Sequence, residues 1–277
     1  MQMTDKYATI GTPISHPSAP FIHSAFARQT GQDLVHTTIE VPLSSFRETA
    51  DAFRAAGGCG LNISIPFKLD AFAYANHLTD QARLAGTVSA LKFEGGNIFA
   101  DNFDGIGMVH DIVHNLGVPI RGKKVLLLGA SGAARSAIQP ILAQEPASLL
   151  VVNRTVSKAL ALVRVFSNYG ELSASSYPDL GASRQVFDIV INATSASLRG
   201  ELPPVHTDVF SPGCLAYELV YGKGLTPFLR LAQGSGAGRL AEGVGMLVEQ
   251  VAETFAWWRG VRPDTRVILD TLTVPLK

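Results

Sequence analysis

The chain has 277 residues, 47% of them hydrophobic and 17% charged, and its 23 basic side chains balance its 23 acidic ones. This composition is typical of a folded globular protein and excludes an intrinsically disordered one. Without a net charge, neither nucleic acid nor an anionic membrane is the expected partner. The chain begins without a secretory signal, and its apolar runs are too short to span a bilayer, so we expect a cytoplasmic protein.

Two cysteines, Cys59 and Cys214, lie in separate apolar segments that resemble strands. A disulfide between them is one interpretation, and buried thiols in a reducing compartment are the favoured one. His110 and His114 lie four residues apart on one predicted helix, but no third ligand accompanies them, so we interpret them as part of a solvated helix face. We therefore predict no metal site.

Strand-like and helix-like patterns alternate through the first hundred residues. The predicted elements are strands at Tyr7–Ile14, Leu34–Val41 and Cys59–Ile65, helices at Ala19–Gln29, Phe46–Ala56 and Phe67–Tyr74, and a hairpin of Val88–Phe93 with Asn97–Ala100. Alternation of this kind is typical of βαβ units, so we expect a mostly parallel sheet covered by helices.

A helix predicted at Gly105–Leu116, with Asp104 as its N-cap, leads into a second alternating series. Its predicted strands are Val125–Leu128, Leu149–Val152, Phe187–Ile191 and Leu215–Val220, and its helices are Ala133–Leu142, Val156–Phe166 and Val244–Trp258, followed by a short C-terminal tail. The fold class is therefore α/β with two domains, residues 1–103 plus 240–277 and residues 104–239. We expect a ligand-binding cleft between them.

A glycine-bearing turn follows the apolar strand Val125–Leu128 and opens a helix. Its residues are Gly129, Ala130, Ser131, Gly132 and Ala133. In a Rossmann-type domain such a turn directs backbone N–H groups and a helix N-terminus at a dinucleotide pyrophosphate. Ser131 stands where the strict fingerprint has its second glycine, so an ordinary strand–helix turn is the alternative.

The next predicted strand ends in Asn153, Arg154 and Thr155, with Lys158 one turn further on. An NAD-binding domain usually has an acidic residue at this strand end, which binds the ribose hydroxyls. A guanidinium in its place suits a ribose 2′-phosphate, so we predict NADP as the cofactor. The alternative is that Arg154 and Lys158 are solvated residues at a helix start.

Lys68 and Asp104 are the candidate catalytic residues. Hydride transfer to a ketone requires a proton for the developing alkoxide. Lys68 follows Ile65-Pro66-Phe67 at a predicted strand end, where α/β sheets place their ligands, and Asp104 lies at the domain junction. A carboxylate beside an ammonium can hold it and share its proton. The alternatives are a surface lysine for Lys68 and a helix N-cap for Asp104, which could combine the N-cap and the catalytic role.

These segments together resemble the shikimate dehydrogenase family along nearly the whole chain. The matching motifs are Gly11–Ile14 with His16 and Pro20, Asn62–Lys68, Asp101–Gly105, Gly129–Ala134, Asn153–Thr155, Asn192–Ser195, Tyr221, Thr226–Phe228, and Gly245–Val248 with Gln250. The resemblance implies a substrate domain with a mostly parallel sheet, a Rossmann-type NADP domain, and a role in aromatic amino acid biosynthesis. It also implies NADP-linked interconversion of 3-dehydroshikimate and shikimate.

By the same resemblance, Lys68 and Asp104 match the catalytic pair. Tyr221 and Gln250 match substrate-contacting positions, and Thr194 belongs to the cofactor-binding set. The final helix is expected to pack on the N-terminal domain. The expected partner is a small shikimate-like acid, with no nucleic acid or membrane, and a homodimer is left open.

The predicted substrate pocket departs from the family pattern. Pro17 and Ala19 replace the two serines whose hydroxyls hold the substrate carboxylate, Ser89 replaces an asparagine, and Phe103 replaces a threonine. Ser18 lies between the two lost hydroxyls, and Ser64 keeps a hydroxyl at a threonine position. Shikimate is still favoured because the catalytic pair matches. The alternatives are quinate or another hydroxylated ring acid, and an NADP-binding sensor without turnover.

Overall fold

A computed structural model of the protein describes residues 4–14 and 18–276. The chain divides into two compact units. The first comprises Met1–Gly107 and Val248–Thr271, and the second comprises Met108–Leu247 and Leu272–Lys277.

Within the described residues, each unit contains one six-stranded sheet. The strands of the first unit are β1 (Asp5–Gly11), β2 (Leu34–Glu40), β3 (Gly58–Ile63), β4 (His77–Leu78), β5 (Ala90–Glu94) and β6 (Asn97–Asp101). Those of the second are β7 (Lys124–Leu128), β8 (Ser148–Val152), β9 (Leu172–Ser175), β10 (Phe187–Asn192), β11 (Phe210–Glu218) and β12 (Arg239–Glu242).

The helices of the described chain are α1 (Ser18–Thr30), α2 (Phe46–Ala55), α3 (Lys68–Tyr74), α4 (Asp80–Ala85), α5 (Asp104–His110), α6 (Gly132–Leu142), α7 (Val156–Phe166), α8 (Tyr177–Ser183), α9 (Pro227–Gly234), α10 (Val244–Arg259) and α11 (Arg266–Leu272). A π-helical turn, Asp111–Asn115, continues α5. None of the helices in the described part of the chain has both the length and the apolar character needed to cross a bilayer.

The first sheet has the strand order β2-β1-β3-β5-β6-β4. Strand β1 pairs in parallel with β2 and β3, whereas the hairpin strand β5 is antiparallel to both of its neighbours. One face carries Ala8, Ile10 and Leu61, and this face packs against the rings of Phe46 and Phe67 on the helix side. Burial of these apolar side chains supplies the main stabilisation of this unit.

Aromatic and imidazole rings cover the other face of β1 and β2. His23 of α1 stacks on His36 of β2 with 4.1 Å between ring centroids, and Trp258 of α10 stacks on Tyr7 at 4.4 Å. The indole N–H of Trp258 donates to the carbonyl oxygen of Leu91 at 3.0 Å. This ring stack fixes the end of α10 to the sheet.

The second sheet has the order β12-β11-β10-β7-β8-β9, and every pair is parallel. The order reverses at β7, which gives the doubly wound arrangement of a Rossmann-type domain. Strand β7 is buried on both faces, as its Val-Leu-Leu-Leu run indicates. The predicted α/β class, with a mostly parallel sheet in one unit and a Rossmann-type sheet in the other, is confirmed.

Several predicted elements differ from the structure. Strands β1 and β3 end at Gly11 and Ile63, before the prolines that follow them, because proline has no N–H to donate to a sheet. Strand β11 begins at Phe210 rather than at Leu215. The prediction missed its first residues because Pro212 and Gly213 interrupt the apolar pattern. The short tail predicted after α10 contains a helix, α11, that the sequence pattern missed. The other elements that the pattern missed are β4, β9, β12, α4, α8 and α9, which are all short.

Both cysteines are free, so the disulfide interpretation is wrong. Cys214 is buried, and burial raises the pKa of its thiol to about 12. Cys59 is half-buried, and burial is also the largest cause of its raised pKa. The rings of His110 and His114 lie 4.4 Å apart, as their spacing on one helix predicts.

Candidate active site

Lys68 and Asp104 form a direct ion pair within the first unit. Lys68 is the first residue of α3, and the turn before it is closed by a hydrogen bond from Phe67 N–H to the Ser64 carbonyl oxygen at 3.1 Å. Asp104 begins α5, soon after β6 ends. The Lys68 ammonium donates to Oδ2 of Asp104, and the side chains are 25% and 7% exposed, respectively. A lysine so placed is not the solvated surface residue of the alternative interpretation.

The backbone at Asp104 is held by buried polar side chains. Asn102, which is fully buried, accepts the N–H of Asp104 on Oδ1 at 3.1 Å. Its amide nitrogen donates to the carbonyl oxygen and the hydroxyl of Thr87, both at 3.0 Å. The N-cap prediction for Asp104 is wrong, because Asp104 is itself helical and its carboxylate pairs with Lys68. Sequence reasoning missed the supporting role of Asn102, although Asn102 belongs to the same motif.

Two residues that depart from the family pattern have clear packing partners. Ser89, 2% exposed, accepts the backbone N–H of Phe103 on its hydroxyl at 2.8 Å. The Phe103 ring is buried and packs against Trp257 of α10, with 5.7 Å between centroids. Both contacts hold Phe103, the residue that immediately precedes Asp104.

Two other predicted substrate residues, Ser18 and Ser64, lie at the ends of regular elements. Ser18 and Ala19 begin α1 and are half-buried, whereas His16 and Pro17 lie outside the described residues. Ser64 follows β3, and its N–H donates to the Ile10 carbonyl oxygen at 2.8 Å.

A side chain at Gly11 would place its Cβ 3.0 Å from Cβ of Ser64, so glycine permits this close approach. Gln250 is a half-buried residue of α10 in the first unit. Tyr221 is a residue of the second unit and is 46% exposed.

The predicted cofactor turn joins β7 to α6. Gly129 has φ +109°, and a Cβ at this position would lie 3.1 Å from the Ala193 carbonyl oxygen, so the turn requires glycine. Ser131 is the N-cap of α6: its hydroxyl accepts the N–H of Ala134 at 3.4 Å and donates to the Ala193 carbonyl oxygen at 3.1 Å. Ala130 and Ala133 are half-buried, and Ser131 and Gly132 are exposed. The start of α6 at Gly132 and Ala133 is therefore placed to face an anion such as a pyrophosphate.

Basic and polar residues follow β8. Arg154, Thr155 and Lys158 are exposed, and the Asn153 amide donates to the Thr155 carbonyl oxygen at 2.9 Å. A hydrogen bond from Arg199 lowers the pKa of Glu201, and the charge of Arg154 lowers it further. The positive charge expected of a 2′-phosphate site is thus present at this strand end.

A buried carboxylate, Glu218, organises the loop that carries Thr194. Oε2 of Glu218 accepts hydrogen bonds from Asn192 at 2.9 Å and Thr226 at 3.1 Å, and also from the hydroxyl of Ser197. Oδ1 of Asn192 accepts both the N–H and the hydroxyl of Thr194, at 3.1 and 2.8 Å. Burial raises the pKa of Glu218, and the hydrogen bonds that its carboxylate accepts from Ser197, Asn192 and Thr226 oppose that shift. Sequence reasoning missed Glu218, whose signal is a single acid at the end of an apolar strand.

Comparison with known proteins assigns the family. The shikimate dehydrogenase substrate binding domain matches residues 9–91, the shikimate/quinate 5-dehydrogenase domain matches residues 111–199, and the shikimate 5′-dehydrogenase C-terminal domain matches residues 243–273. Shikimate dehydrogenase (NADP(+)) of Chromobacterium violaceum is 53% identical over 270 residues, which cover 98% of each chain.

Solved structures agree with this assignment. An Ael1 enzyme from Pseudomonas putida has a TM-score of 0.94 and 53% identity, covering 99% of this chain and 100% of that one. Shikimate 5-dehydrogenase from Thermus thermophilus, in complex with NADP(H) and shikimate, has a TM-score of 0.84 and 26% identity, covering 97% of this chain and 98% of that one. The chain belongs to the shikimate dehydrogenase family.

Proposed function

We propose that the protein catalyses the reversible, NADP-dependent interconversion of 3-dehydroshikimate and shikimate. The observation that carries the proposal is the ion pair between Lys68 and Asp104 in a member of this family. An ammonium at this position is a proton donor to a carbonyl oxygen that is being reduced. The relatives at about half identity over nearly the full length are named for this activity.

Lys68 and Asp104 act as an acid/base pair in both directions. In reduction, Nζ of Lys68 gives a proton to the oxygen of the ring ketone as the hydride arrives at the carbon. In oxidation, the same nitrogen takes the proton from the hydroxyl group. The Asp104 carboxylate accepts a hydrogen bond from the ammonium, which keeps Nζ of Lys68 oriented for the transfer.

The second unit holds the cofactor in this proposal. Bound NADPH would supply the hydride for reduction, and NADP would accept it in oxidation. The turn Gly129–Ala133 and the N-terminus of α6 fit a pyrophosphate, and Arg154 with Lys158 fits a 2′-phosphate. Asn153, Thr155 and Thr194 complete the set, with Thr194 held through Asn192.

The first unit holds the ring acid in this proposal. Ser18, Ser64, Ser89 and Gln250 are its proposed contacts there, and Tyr221 is a further proposed substrate residue. We propose residues 1–103 plus 240–277 as the substrate domain and 104–239 as the NADP domain. We also propose that the enzyme works in the cytoplasm, as a monomer or a homodimer.

A second candidate substrate is quinate or another hydroxylated ring acid. Ala19 at the start of α1 carries no hydroxyl, and the Phe103 ring is turned to Trp257, so neither side chain offers the ring acid a hydrogen bond. An acid with a different carboxylate end would suit such a pocket. A sensor that binds NADP without turnover is the third candidate, and the intact ion pair argues against it.

The test is absorbance of the reduced nicotinamide when the protein is mixed with NADP and shikimate, with NAD and quinate as parallel reactions. We expect fast reduction of NADP by shikimate and slow reduction of NAD. Turnover with quinate and none with shikimate would transfer the proposal to the second substrate. No turnover with any ring alcohol, together with measurable NADP binding, would support the sensor.

A further inference from the structure

Helices α5 and α10 lie very close together at Gly107 and Gln250. A Cβ atom on Gly107 would lie 2.6 Å from the backbone nitrogen of Gln250 and 2.9 Å from its Cα and Cβ atoms. Contacts this short do not occur between real side chains and backbone. The backbones can therefore lie at this separation only because residue 107 has no side chain.

Hydrogen bonds next to Gln250 hold helix α10 in place. Glu249, the residue before Gln250, is fully buried and accepts hydrogen bonds from Arg262 and Thr265, both at 2.7 Å. Further along the helix, Trp258 donates to Leu91. A displacement of α10 away from residue 107 would strain these hydrogen bonds, so the contact cannot relax without cost.

The contact joins two functional positions. Asp104 lies three residues before Gly107, one turn away on the same helix, and it pairs with Lys68. Gln250 is a proposed contact of the ring acid. We infer that Gly107 is a positioning residue, whose missing side chain sets the separation between the Lys68–Asp104 pair and the Gln250 amide. This inference rests on the proposed function and adds a determinant of ring-acid affinity.

The variant Gly107→Ala tests it. We expect the KM for the ring acid to rise by up to about a hundredfold, the loss that a misplacement of about 1 Å at a positioning group can cause. The dissociation constant of NADP should stay unchanged, because neither residue belongs to the cofactor-binding set. Gly234→Ala is the matched control: it is also a helical glycine, and a Cβ there meets no atom within 4 Å. That variant should keep the KM and the melting temperature.

A double-mutant cycle separates positioning from general destabilisation. In a Gln250→Ala background, Gly107→Ala should add little to the KM, because the amide that it displaces is gone. An equal rise in both backgrounds would overturn the inference, since a structural defect does not depend on the Gln250 side chain. So would an unchanged KM in the single variant.

Crystal structures of the wild type and Gly107→Ala make the test independent of turnover. We expect the Cα atoms of residues 107 and 250 to move apart by several tenths of an ångström. Unmoved helices would overturn the inference whatever the substrate. A wild type without turnover on shikimate or quinate would overturn the proposed function instead, and the displacement would still be measured.

Discussion

The hydroxyl of Ser89 accepts the backbone N–H of Phe103 at 2.8 Å, immediately before Asp104 in the chain. Ser89 lies at a position where the family has an asparagine that we associated with the substrate. In this chain its buried oxygen supports the backbone that presents Asp104 to Lys68. Two hydrogen bonds therefore hold the backbone at the start of α5: Ser89 accepts the N–H of Phe103, and Asn102 accepts the N–H of Asp104.

We expect Ser89→Ala to lower kcat and the melting temperature together. The change leaves the buried N–H of Phe103 without an acceptor, which costs about 1–3 kcal/mol. Ser89→Thr keeps the hydroxyl and should retain more of the kcat than the alanine variant. Steady-state kinetics and thermal unfolding of both variants measure this. Equal kcat in wild type and Ser89→Ala would show that the hydrogen bond does not position Asp104.

We expect Lys68→Ala to lower kcat by about a hundred- to ten-thousandfold, the usual contribution of a positioned acid or base. Binding of NADP, followed by calorimetry, should persist, because Lys68 does not belong to the cofactor-binding set. Lys124→Ala, which removes an exposed lysine side chain at the start of β7, is the control and should keep full activity. Substantial turnover in Lys68→Ala would remove the lysine from the acid/base step.

The regular elements of the fold were predictable because their apolar patterns are long. Helix α7 lies at the predicted residues Val156–Phe166, and the predicted β7 differs by one residue. Short elements such as α4 carry too few apolar residues for a periodicity to be recognised. Helix α4 is instead fixed by its cap, since Thr79 accepts the N–H of Ala82 at 3.1 Å.

The catalytic pair was predictable from motifs, but its supporting contacts were not. Lys68 and Asp104 are 36 residues apart, and only folding brings the two side chains into contact. Likewise, the close approach of Gly107 to Gln250 depends on how two distant helices pack. Such contacts leave no local pattern, because they are set by tertiary geometry rather than by neighbouring residues.

We expect the double variant Arg154→Ala/Lys158→Ala to raise the KM for NADP while leaving the KM for NAD nearly unchanged. A hydrogen bond to a charged group contributes about 1.5–3 kcal/mol, so loss of the guanidinium alone should cost about ten- to a hundredfold. Arg164→Ala is the matched control, because Arg164 is an exposed arginine in the last turn of α7, the helix that also contains Lys158. A parallel rise of both KM values would mean that Arg154 and Lys158 do not read the 2′-phosphate.

The ring stack behind the first sheet contains a nearly buried histidine, His36. His36 is only 5% exposed, and its polar neighbours are the His23 ring and the Asn62 side chain. Burial, together with the charge of neighbouring His23, lowers the pKa of His36 to about 2, and a hydrogen bond with Asn62 opposes the shift. The unfolded chain takes up this proton near pH 6.5 and the folded chain does not. Above that pH, this histidine therefore does not lower the free energy of unfolding. That free energy falls by about 1.4 kcal/mol per pH unit below this pH.

We therefore expect His36→Phe to stabilise the protein and to weaken its acid sensitivity. Phenylalanine keeps the stack on His23 and removes the imidazole, whose burial in the folded chain opposes its protonation. The measurement is urea unfolding at about pH 7.5 and about pH 5, where the gain in unfolding free energy should be larger at the lower pH. His77→Phe is the control, since His77 also stacks on a ring, Phe99, but is exposed and bonded to Asn97. A gain that is the same at both pH values would mean that His36 titrates alike in the folded and unfolded chains.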